Sequence, residues 1–251
     1  MAFIKGNLVP ILKEFLRQPF SGSLLVLGYP DVLMTMHQFC DLAYQYDVEL
    51  PDPRQMKVSL RPEFAQSNYM CGLSLFRALG FSRVDALDYC DFEGASVVYD
   101  LNLPTPPAEL QGRYDMIIDH GTLEHIFNIP NALNSIFQML KVGGRVFHSL
   151  PSSNFVDHGF YMFSPTLFYD YYIANKYVIE SILFAQSSVN QLTEPCFYTD
   201  YIPGCLDHVS YGGLTSAIYG IICVASKTFE TTGHIAPQQG LYKNIIWRKS
   251  G

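Results

Sequence analysis

The chain has 251 residues, 49% of them hydrophobic, and a formal net charge of −7. A chain of this length and apolar content can bury the core of one large α/β domain, so we expect a single domain over residues 1–251. The acidic balance and the lack of a long basic run argue against a nucleic-acid partner.

Membrane and secretory segments are not expected. The longest apolar stretch, residues 217–225, is too short to span a bilayer, and the N-terminal residues lack the pattern of a secretory signal. The six cysteines have neither C-x-x-C nor zinc-site spacing. We therefore expect a cytoplasmic protein with reduced thiols and no disulfide framework.

The spacing of apolar residues predicts strands and helices in alternation. An amphipathic helix is expected over residues 9–17, with an inward face formed by Ile11, Leu12, Phe15 and Leu16. The predicted strands are, in chain order, residues 24–28, 84–88, 96–100, 114–119, 144–150, 177–184 and 219–225. Further helices are predicted over residues 31–46, 73–79 and 165–175, and a polar surface excursion over residues 47–68. The last two strands are expected to add an antiparallel hairpin to a parallel sheet.

Residues 114–151 are the most informative part of the sequence. They read as a strand, an amphipathic helix with Lys141 in its last turn and Gly143 as its stop, and a second strand. Such a unit belongs to a parallel sheet, and open α/β sheets bind ligands at the carboxyl ends of their strands. We therefore expect the chemistry near residues 119–125 and 149–158.

Three aspartates end successive predicted strands: Asp88, Asp100 and Asp119. A carboxylate at the end of the second strand is placed to accept hydrogen bonds from ribose hydroxyls, and the neighbouring Tyr89 can pack on an adenine ring. Asp100 would accept from the adenine amino group while the Leu101 backbone N–H donates. A single strand-end aspartate more often caps a loop or helix, but three at matching positions favour ligand binding.

Five segments resemble the class I S-adenosylmethionine-dependent methyltransferases. They are L-L-V-L-G (24–28), V-D-A-L-D-Y (84–89), V-V-Y-D-L-N (97–102), Y-D-M-I-I-D-H-G-T-L-E-H-I (114–126) and L-K-V-G-G-R-V-F (140–147). The resemblance covers roughly residues 20–185. It implies a Rossmann-like α/β fold: a seven-stranded sheet with six parallel strands and one antiparallel strand, flanked by helices. It also implies S-adenosylmethionine as cofactor, lying across the ends of the first strands.

The first motif departs from the family pattern, in which several glycines follow the first strand. Here only Gly28 is present, and Tyr29, Pro30 and Asp31 follow it. Proline removes a backbone donor and stiffens the loop, so the cofactor would be bound along a different path or not at all. We favour binding, with Gly28 and Gly121 near its methionine part, Asp31 in contact with a cofactor group, and Tyr29 and Asp119 as further candidate cofactor-binding residues. Asp31 would equally serve as a helix cap.

His158 is the leading candidate for the general base, because it lies in a loop after the fifth strand where an acceptor would arrive. The alternative is a structural hydrogen bond that supports the turn at Gly159. Asp119, His120 and Tyr161 are weaker catalytic candidates. The pattern H-x-x-x-E-H around residues 120–125 is not the zinc motif H-E-x-x-H, so no metal site is predicted.

The resulting hypothesis is methyl transfer to oxygen or nitrogen of a small molecule. The stretch N-F-V-D-H-G-F-Y-M-F-S-P-T-L-F-Y-D-Y-Y (154–172) resembles a bacterial subgroup associated with surface (capsular) polysaccharide synthesis, which implies a sugar or sugar-linked acceptor. Residues 152–176 and 187–215 would shape the acceptor pocket. A non-catalytic scaffold is one alternative. A nucleotide-sugar oxidoreductase is another, but it predicts G-x-G-x-x-G where the chain has G-Y-P-D-V-L.

Overall fold

A mixed β-sheet forms the centre of this computed structural model, which describes residues 2–192 and 194–242. The strands are β1 (Ser23–Leu27), β2 (Asp31–Thr35), β3 (Tyr69–Cys71), β4 (Arg83–Asp88), β5 (Val97–Val98), β6 (Tyr114–His120), β7 (Leu140–Ser153), β8 (Val178–Ser187), β9 (Cys196–Asp200) and β10 (Ile218–Ser226). The helices are α1 (Lys5–Arg17), α2 (Met36–Gln45), α3 (Pro62–Ala65), α4 (Gly72–Ala78), α5 (Ile129–Met139) and α6 (Pro165–Ala174). Both ends of the predicted domain 1–251, and residue 193 of the predicted segment 187–215, lie outside the described residues, so the single domain stays a prediction.

Eight strands of the described chain form one sheet in the order β5-β4-β1-β6-β7-β10-β8-β9. The first five strands of that order are parallel, and β10 is antiparallel to both β7 and β8. This is the Rossmann-like, mostly parallel sheet that the sequence predicted. The count of seven needs a correction, because β9 pairs antiparallel with β8 as an additional edge strand. Its sequence contains no buried apolar run, since most of its residues are exposed.

Helices cover both faces of the sheet, and the side chains of β1 show how the two layers are divided. Leu24 and Val26 pack in one apolar cluster with residues of α1, α2 and α4. Leu25 and Leu27 pack in a second cluster with residues of α5 and α6. This alternation is expected for a strand that is buried on both faces. Within residues 2–192 and 194–242, no helix has the length and apolar character that a bilayer crossing requires.

The prediction of one helix over residues 31–46 is wrong in its first third. Residues Asp31–Thr35 form β2, which pairs antiparallel with β3 in a separate two-stranded sheet. The helix begins only at Met36, where the Thr35 hydroxyl accepts a hydrogen bond from the backbone of Gln38 at 3.2 Å. As a result, β1 is followed by a short strand rather than directly by a helix.

Three smaller expectations also change. Leu16 is 50% exposed, so it does not share the buried face of α1 with Ile11, Leu12 and Phe15. Helix α5 ends at Met139, one turn earlier than the motif suggested, because the chain already pairs as β7 from Leu140 onward. Lys141 therefore lies in a strand and pairs with Asp115 at 2.8 Å. Gly143 has φ +82°, but its left-handed conformation serves the start of β7 rather than the end of a helix.

Candidate active site

A cleft of about 510 Å³ opens at the carboxyl ends of β1, β4, β5 and β6. Its volume lies in the range of small-molecule sites. The sequence-predicted residues that line it are Gly28, Tyr29, Asp31, Asp88, Tyr89, Asp100, Leu101, His120 and Gly121. Ala2 and Phe3 of the N-terminal segment form part of its wall, which the sequence did not indicate. The cleft therefore brings together most of the predicted cofactor-binding residues.

Two glycines in the left-handed region form the turns that follow β1 and β6. Gly28 has φ +77° and Gly121 has φ +74°. The Gly28 N–H donates to the Leu87 carbonyl at 2.7 Å, and the Thr122 hydroxyl donates to the Leu27 carbonyl at 2.8 Å. A Cβ atom on Gly28 would lie 3.2 Å from the Thr122 hydroxyl oxygen. Backbone thus forms this part of the cleft, and the two turns are tied to each other.

Asp88 is the last residue of β4 and Asp100 lies two residues after β5, and both carboxylates have unused acceptor capacity. Asp88 Oδ1 accepts the Tyr89 backbone N–H at 2.6 Å, and Asp100 Oδ1 accepts the backbone and side-chain N–H groups of Asn102 at 2.9 Å each. Among the described residues, no hydrogen bond reaches Oδ2 of either aspartate. Tyr89 is 73% exposed, which leaves its ring available for stacking.

Asp31 lies at the start of β2 and forms an ion pair with Arg61, which the sequence did not predict. Arg61 donates to the Asp31 carboxylate at 2.8 Å and also pairs with Glu93, a further residue of the cleft wall, at 3.1 Å. The Arg61 guanidinium lies 5.7 Å from the centre of the Tyr29 ring. Burial raises the pKa of Asp31, and Arg61 opposes that shift. Asp31 is therefore anchored in an ion pair, and does not cap a helix.

Asp119 is not part of the cleft surface, so the prediction of a direct contact with cofactor or substrate needs a correction. Its side chain is fully buried, and its Oδ2 lies 2.7 Å from Nδ1 of His148. Its Oδ1 accepts the backbone N–H groups of Thr122 and Leu123 at 3.2 and 3.3 Å. Nε2 of His148 in turn lies 2.5 Å from the hydroxyl of Tyr172. Asp119 thus joins β6 to β7 and α6 beneath the site.

His120 lines the cleft but is only 3% exposed. Its Nε2 lies 3.1 Å from the Ala2 carbonyl, and its ring lies 4.2 Å from the ring of Phe3. Burial lowers the pKa of His120 to about 4, so the imidazole is neutral near pH 7 and a weak proton acceptor. This environment favours a structural role in the wall of the cleft over proton transfer.

The His158 ring lies beside two residues of the turn after β6, rather than in the cleft itself. Its Nε2 is 3.5 Å from Oε1 of Glu124, and Nε2 of His125 is 3.9 Å from the same oxygen. Glu124 is fully buried, whereas His125 also lines the cleft. Burial raises the pKa of Glu124 to about 8, and the nearby Asp119 adds to the shift. The sequence did not predict that Glu124 and His158 would meet.

Tyr161, the remaining catalytic candidate, has its hydroxyl engaged. It donates to the backbone carbonyl of Phe127 at 2.9 Å, and the residue does not line the cleft. The Tyr161 N–H and the Phe160 N–H both point to the Glu124 carbonyl, at 3.2 and 2.7 Å. The residue therefore fixes the loop that carries His158.

A second pocket of about 800 Å³ lies where the two predicted acceptor segments meet. It is lined by Ser152, Met162, Phe163, Ser164, Pro165, Thr166, Tyr169, Asp170, Ile173, Phe184, Tyr201, Pro203, Gly204, Leu206, Asp207, Val209, Ser210, Leu214, Gln239 and Gly240. Most of these residues fall within residues 152–176 and 187–215. A third, narrow hollow next to Ser149 measures only about 60 Å³.

The family comparison decides what class of protein carries these sites. A family model described as a methyltransferase domain matches residues 38–200, which is more than half of the chain. The chain belongs to this methyltransferase family. The match does not support the alternative of a nucleotide-sugar oxidoreductase. A comparison with curated protein sequences finds no match.

Several solved structures are similar to this chain over most of its length. A possible histamine N-methyltransferase from Thermotoga maritima is 13% identical, with a TM-score of 0.39 and 90% of each chain covered. The 1,6-didemethyltoxoflavin-N1-methyltransferase of Burkholderia thailandensis, solved with S-adenosylhomocysteine, is 15% identical, with a TM-score of 0.42, 89% of this chain and 78% of that chain covered. Phosphoethanolamine N-methyltransferase 2 of Haemonchus contortus, solved with S-adenosylmethionine, is 12% identical, with a TM-score of 0.43, 88% of this chain and 52% of that chain covered. At such identities the likeness concerns the fold and not the substrate.

The chemistry of the cleft fits the cofactor. A nucleoside needs hydrogen-bond acceptors for its ribose hydroxyls and adenine amino group, and the free oxygens of Asp88 and Asp100 offer them. The left-handed turns at Gly28 and Gly121 expose backbone where the methionine part would lie. The turn with a single glycine after β1 leaves an open cleft, and β2 separates this turn from helix α2.

Proposed function

We propose that this methyltransferase acts in the cytoplasm and transfers the methyl group of S-adenosylmethionine to an oxygen or nitrogen of a small molecule. The acceptor class that we propose is a sugar or a sugar-linked precursor of a surface (capsular) polysaccharide. The observation that carries the proposal is the pairing of an open nucleoside-sized cleft, edged by Asp88 and Asp100, with a separate pocket built from the two predicted acceptor segments.

In this proposal, the cofactor spans the carboxyl edge of the parallel strands. Asp88 accepts hydrogen bonds from the ribose, and Tyr89 packs against the adenine. Asp100 and the Leu101 backbone N–H recognise the adenine edge. Gly28 and Gly121 let the backbone approach the methionine part, on the side of the cleft that Asp31 and Tyr29 border.

The polar lining of the second pocket supports an acceptor with several hydroxyl groups. The Thr166 and Tyr201 hydroxyls lie 3.3 Å apart, and Asp170 and Asp207 also line the pocket. Tyrosine rings that carry hydroxyls suit a sugar, which presents both apolar faces and polar edges. The loop before α6 links the two sites, because it carries His158 beside Glu124 and continues into Phe163 and Ser164 of the pocket.

The chemistry asks little of the protein beyond positioning. When bound, the sulfonium group of the cofactor supplies an already activated methyl group. Holding the acceptor in line with that methyl group can lower the barrier by about 7–11 kcal/mol, whereas a general base contributes a factor of about 10²–10⁴. The cleft and pocket are therefore the main requirements, and the role predicted for His158 as a base is a secondary one.

Two measurements test the proposal. Isothermal titration should detect binding of S-adenosylmethionine and of its demethylated product, and their absence would leave the non-catalytic scaffold as the better account. Nucleotide sugars and simple amines should then be compared as acceptors by the release of S-adenosylhomocysteine. We expect turnover with the sugar class, and turnover confined to the amines would overturn the acceptor assignment.

A variant pair can locate the acceptor. Tyr201→Phe removes one hydroxyl from the second pocket, and should raise KM for the acceptor while leaving cofactor affinity unchanged. Tyr211→Phe is the matched control, because Tyr211 is fully exposed and does not line the pocket. Equal kinetics for the two variants would place the acceptor elsewhere.

A further inference from the structure

Three potential metal ligands meet at the border of the cofactor cleft. Glu124 and His125 come from the short 3-10 turn after β6, and His158 comes from the loop after β7. One ligand atom of each lies within 4.8 Å of the others. The closest approaches are the 3.5 and 3.9 Å from Glu124 Oε1 to the Nε2 atoms of His158 and His125. Small side-chain rotations would bring all three to bonding distance from one ion.

Glu124 gives the independent reason to look for a ligand here. Its side chain is 0% exposed, and neither carboxylate oxygen has a hydrogen-bond partner among the described residues. Buried polar groups are normally satisfied, and a buried carboxylate without a partner is costly. The two imidazoles that face it are 48% and 34% exposed, so the cluster is open to solvent on their side. A cation entering from that side would satisfy the carboxylate.

The backbone holds the three side chains together without any ion. The Glu124 carbonyl accepts the N–H groups of Phe160 and Tyr161 at 2.7 and 3.2 Å. Gly159 packs so closely that a Cβ atom there would lie 2.8 Å from the same carbonyl oxygen. These contacts hold the loop that carries His158 against the turn that carries Glu124. The His158 imidazole is therefore preorganised as a potential metal ligand.

We propose that Glu124, His125 and His158 bind one divalent first-row transition-metal ion through a carboxylate oxygen and two imidazole nitrogens. Such a donor set suits ions of this class, and three protein ligands leave coordination positions open for water or substrate. His158 is then a ligand, and this replaces the role of general base predicted for it. Local spacing could not indicate this site, because its third ligand comes from a distant loop.

A catalytic role for the ion rests on the proposed methyl-transfer function, whereas the existence of the metal site does not depend on that function. His125 lines the cofactor cleft, so the ion lies at the border where an acceptor would approach the methyl group. A coordinated acceptor hydroxyl would become more acidic and release its proton to water. Its oxygen then forms the bond to the methyl carbon as the carbon–sulfur bond breaks and the electron pair stays on sulfur.

Metal titration of the full chain tests the site directly. After dialysis against a chelator, the protein is titrated with Mn²⁺ and with Co²⁺, using calorimetry and, for Co²⁺, visible absorption. We expect one ion per chain, with Co²⁺ bound more tightly than Mn²⁺. Glu124→Gln and His158→Ala should each weaken binding by about tenfold or more. His234→Ala should bind like the wild type, because His234 is exposed and lies outside the cluster.

The outcomes separate this site from the proposed function. No saturable binding by the wild type, or equal affinity in the wild type and both cluster variants, would overturn the metal site. Glu124→Gln keeps the shape of the side chain, and circular dichroism confirms that each variant is folded. Titration with S-adenosylhomocysteine is performed in parallel. Cofactor binding without metal binding removes only the metal site, and metal binding without cofactor binding removes only the proposed function.

Discussion

The carboxyl edge of the sheet has an open half and a covered half. At the ends of β4 and β5, Asp88 and Asp100 reach the cleft with a free oxygen each. At the end of β6, Asp119 is buried beneath the loop after it and bound to His148, and the buried Glu124 carboxylate has no hydrogen-bond partner among the described residues. An aspartate near a strand end therefore keeps a free oxygen in one half, where we propose that it binds the cofactor, and stabilises the fold in the other half. The difference arises because a loop covers the end of β6, whereas the ends of β4 and β5 are open to the cleft.

The largest effect that would test this contrast is on folding stability. Asp119→Ala would leave the buried His148 ring and two backbone N–H groups without their acceptor. We expect a loss of about 3 kcal/mol or more in the free energy of unfolding, which corresponds to a fall in Tm of roughly 6–12 °C. Asp91→Ala is the control with the same charge change at an exposed position. Similar melting curves for the two variants would mean that the buried network contributes little.

His120, which is buried in the cleft wall at the end of β6, predicts a pH dependence of stability. Burial lowers the pKa of His120 from 6.5 to about 4. Between these values the unfolded chain binds a proton that the folded chain excludes, so stability falls as pH decreases from about 6.5 to about 4. The loss attributable to His120 is about 3 kcal/mol, from a shift of roughly 2.5 pKa units. Chemical denaturation of wild type and His120→Gln across this range measures it, since only the wild type carries this titration. Parallel curves for the two proteins would contradict the buried, neutral imidazole.

In the open half, the expected effect is on binding rather than on folding. Asp88→Ala removes the acceptor proposed for the ribose, and hydrogen bonds to charged groups contribute about 1.5–3 kcal/mol. We therefore expect the Kd for S-adenosylhomocysteine to rise by roughly 10- to 150-fold, with Tm nearly unchanged. Calorimetric titration beside Asp91→Ala gives the comparison. A destabilised Asp88→Ala protein with wild-type affinity would reverse the roles of the two halves.

Much of the open half could be predicted from sequence because its determinants are local. Buried apolar runs mark β1, β4 and β6, and Asp88 is the last residue of β4, so it lies at the carboxyl edge of the sheet. The extra edge strand and the β2–β3 pair escaped prediction, because exposed or short strands depend on pairing with distant segments. Arg61 was missed for the same reason, since nothing in a polar excursion shows that it returns to Asp31.

The residues of the covered half were harder to predict, because their positions depend on contacts between segments that are distant in the sequence. A strand-end aspartate looks the same in the sequence whether its carboxylate pairs with a ligand or with His148, so the sequence assigned Asp119 to the cofactor. His158 lies beside the turn after β6, but the sequence could not show that Glu124 is its neighbour, because the loop after β7 folds back onto that turn only in the tertiary structure. Predictions from sequence thus succeed where one element determines the position of a residue, and fail where two must meet.

The smallest effect concerns the turn with a single glycine, and it separates backbone strain from cofactor recognition. Gly28 and Gly143 have nearly the same backbone conformation, with φ +77° and φ +82°, but only Gly28 lines the cleft. Alanine at either position should cost about 1 kcal/mol of stability, because an L-residue is strained in the left-handed region. The Gly143 site is otherwise open, whereas a Cβ on Gly28 would approach the Thr122 hydroxyl. Only Gly28→Ala should therefore also weaken cofactor binding. If titration calorimetry gave both variants the same affinity, the backbone after β1 would not contact the cofactor, and the departure from the glycine-rich motif would mark a different binding path.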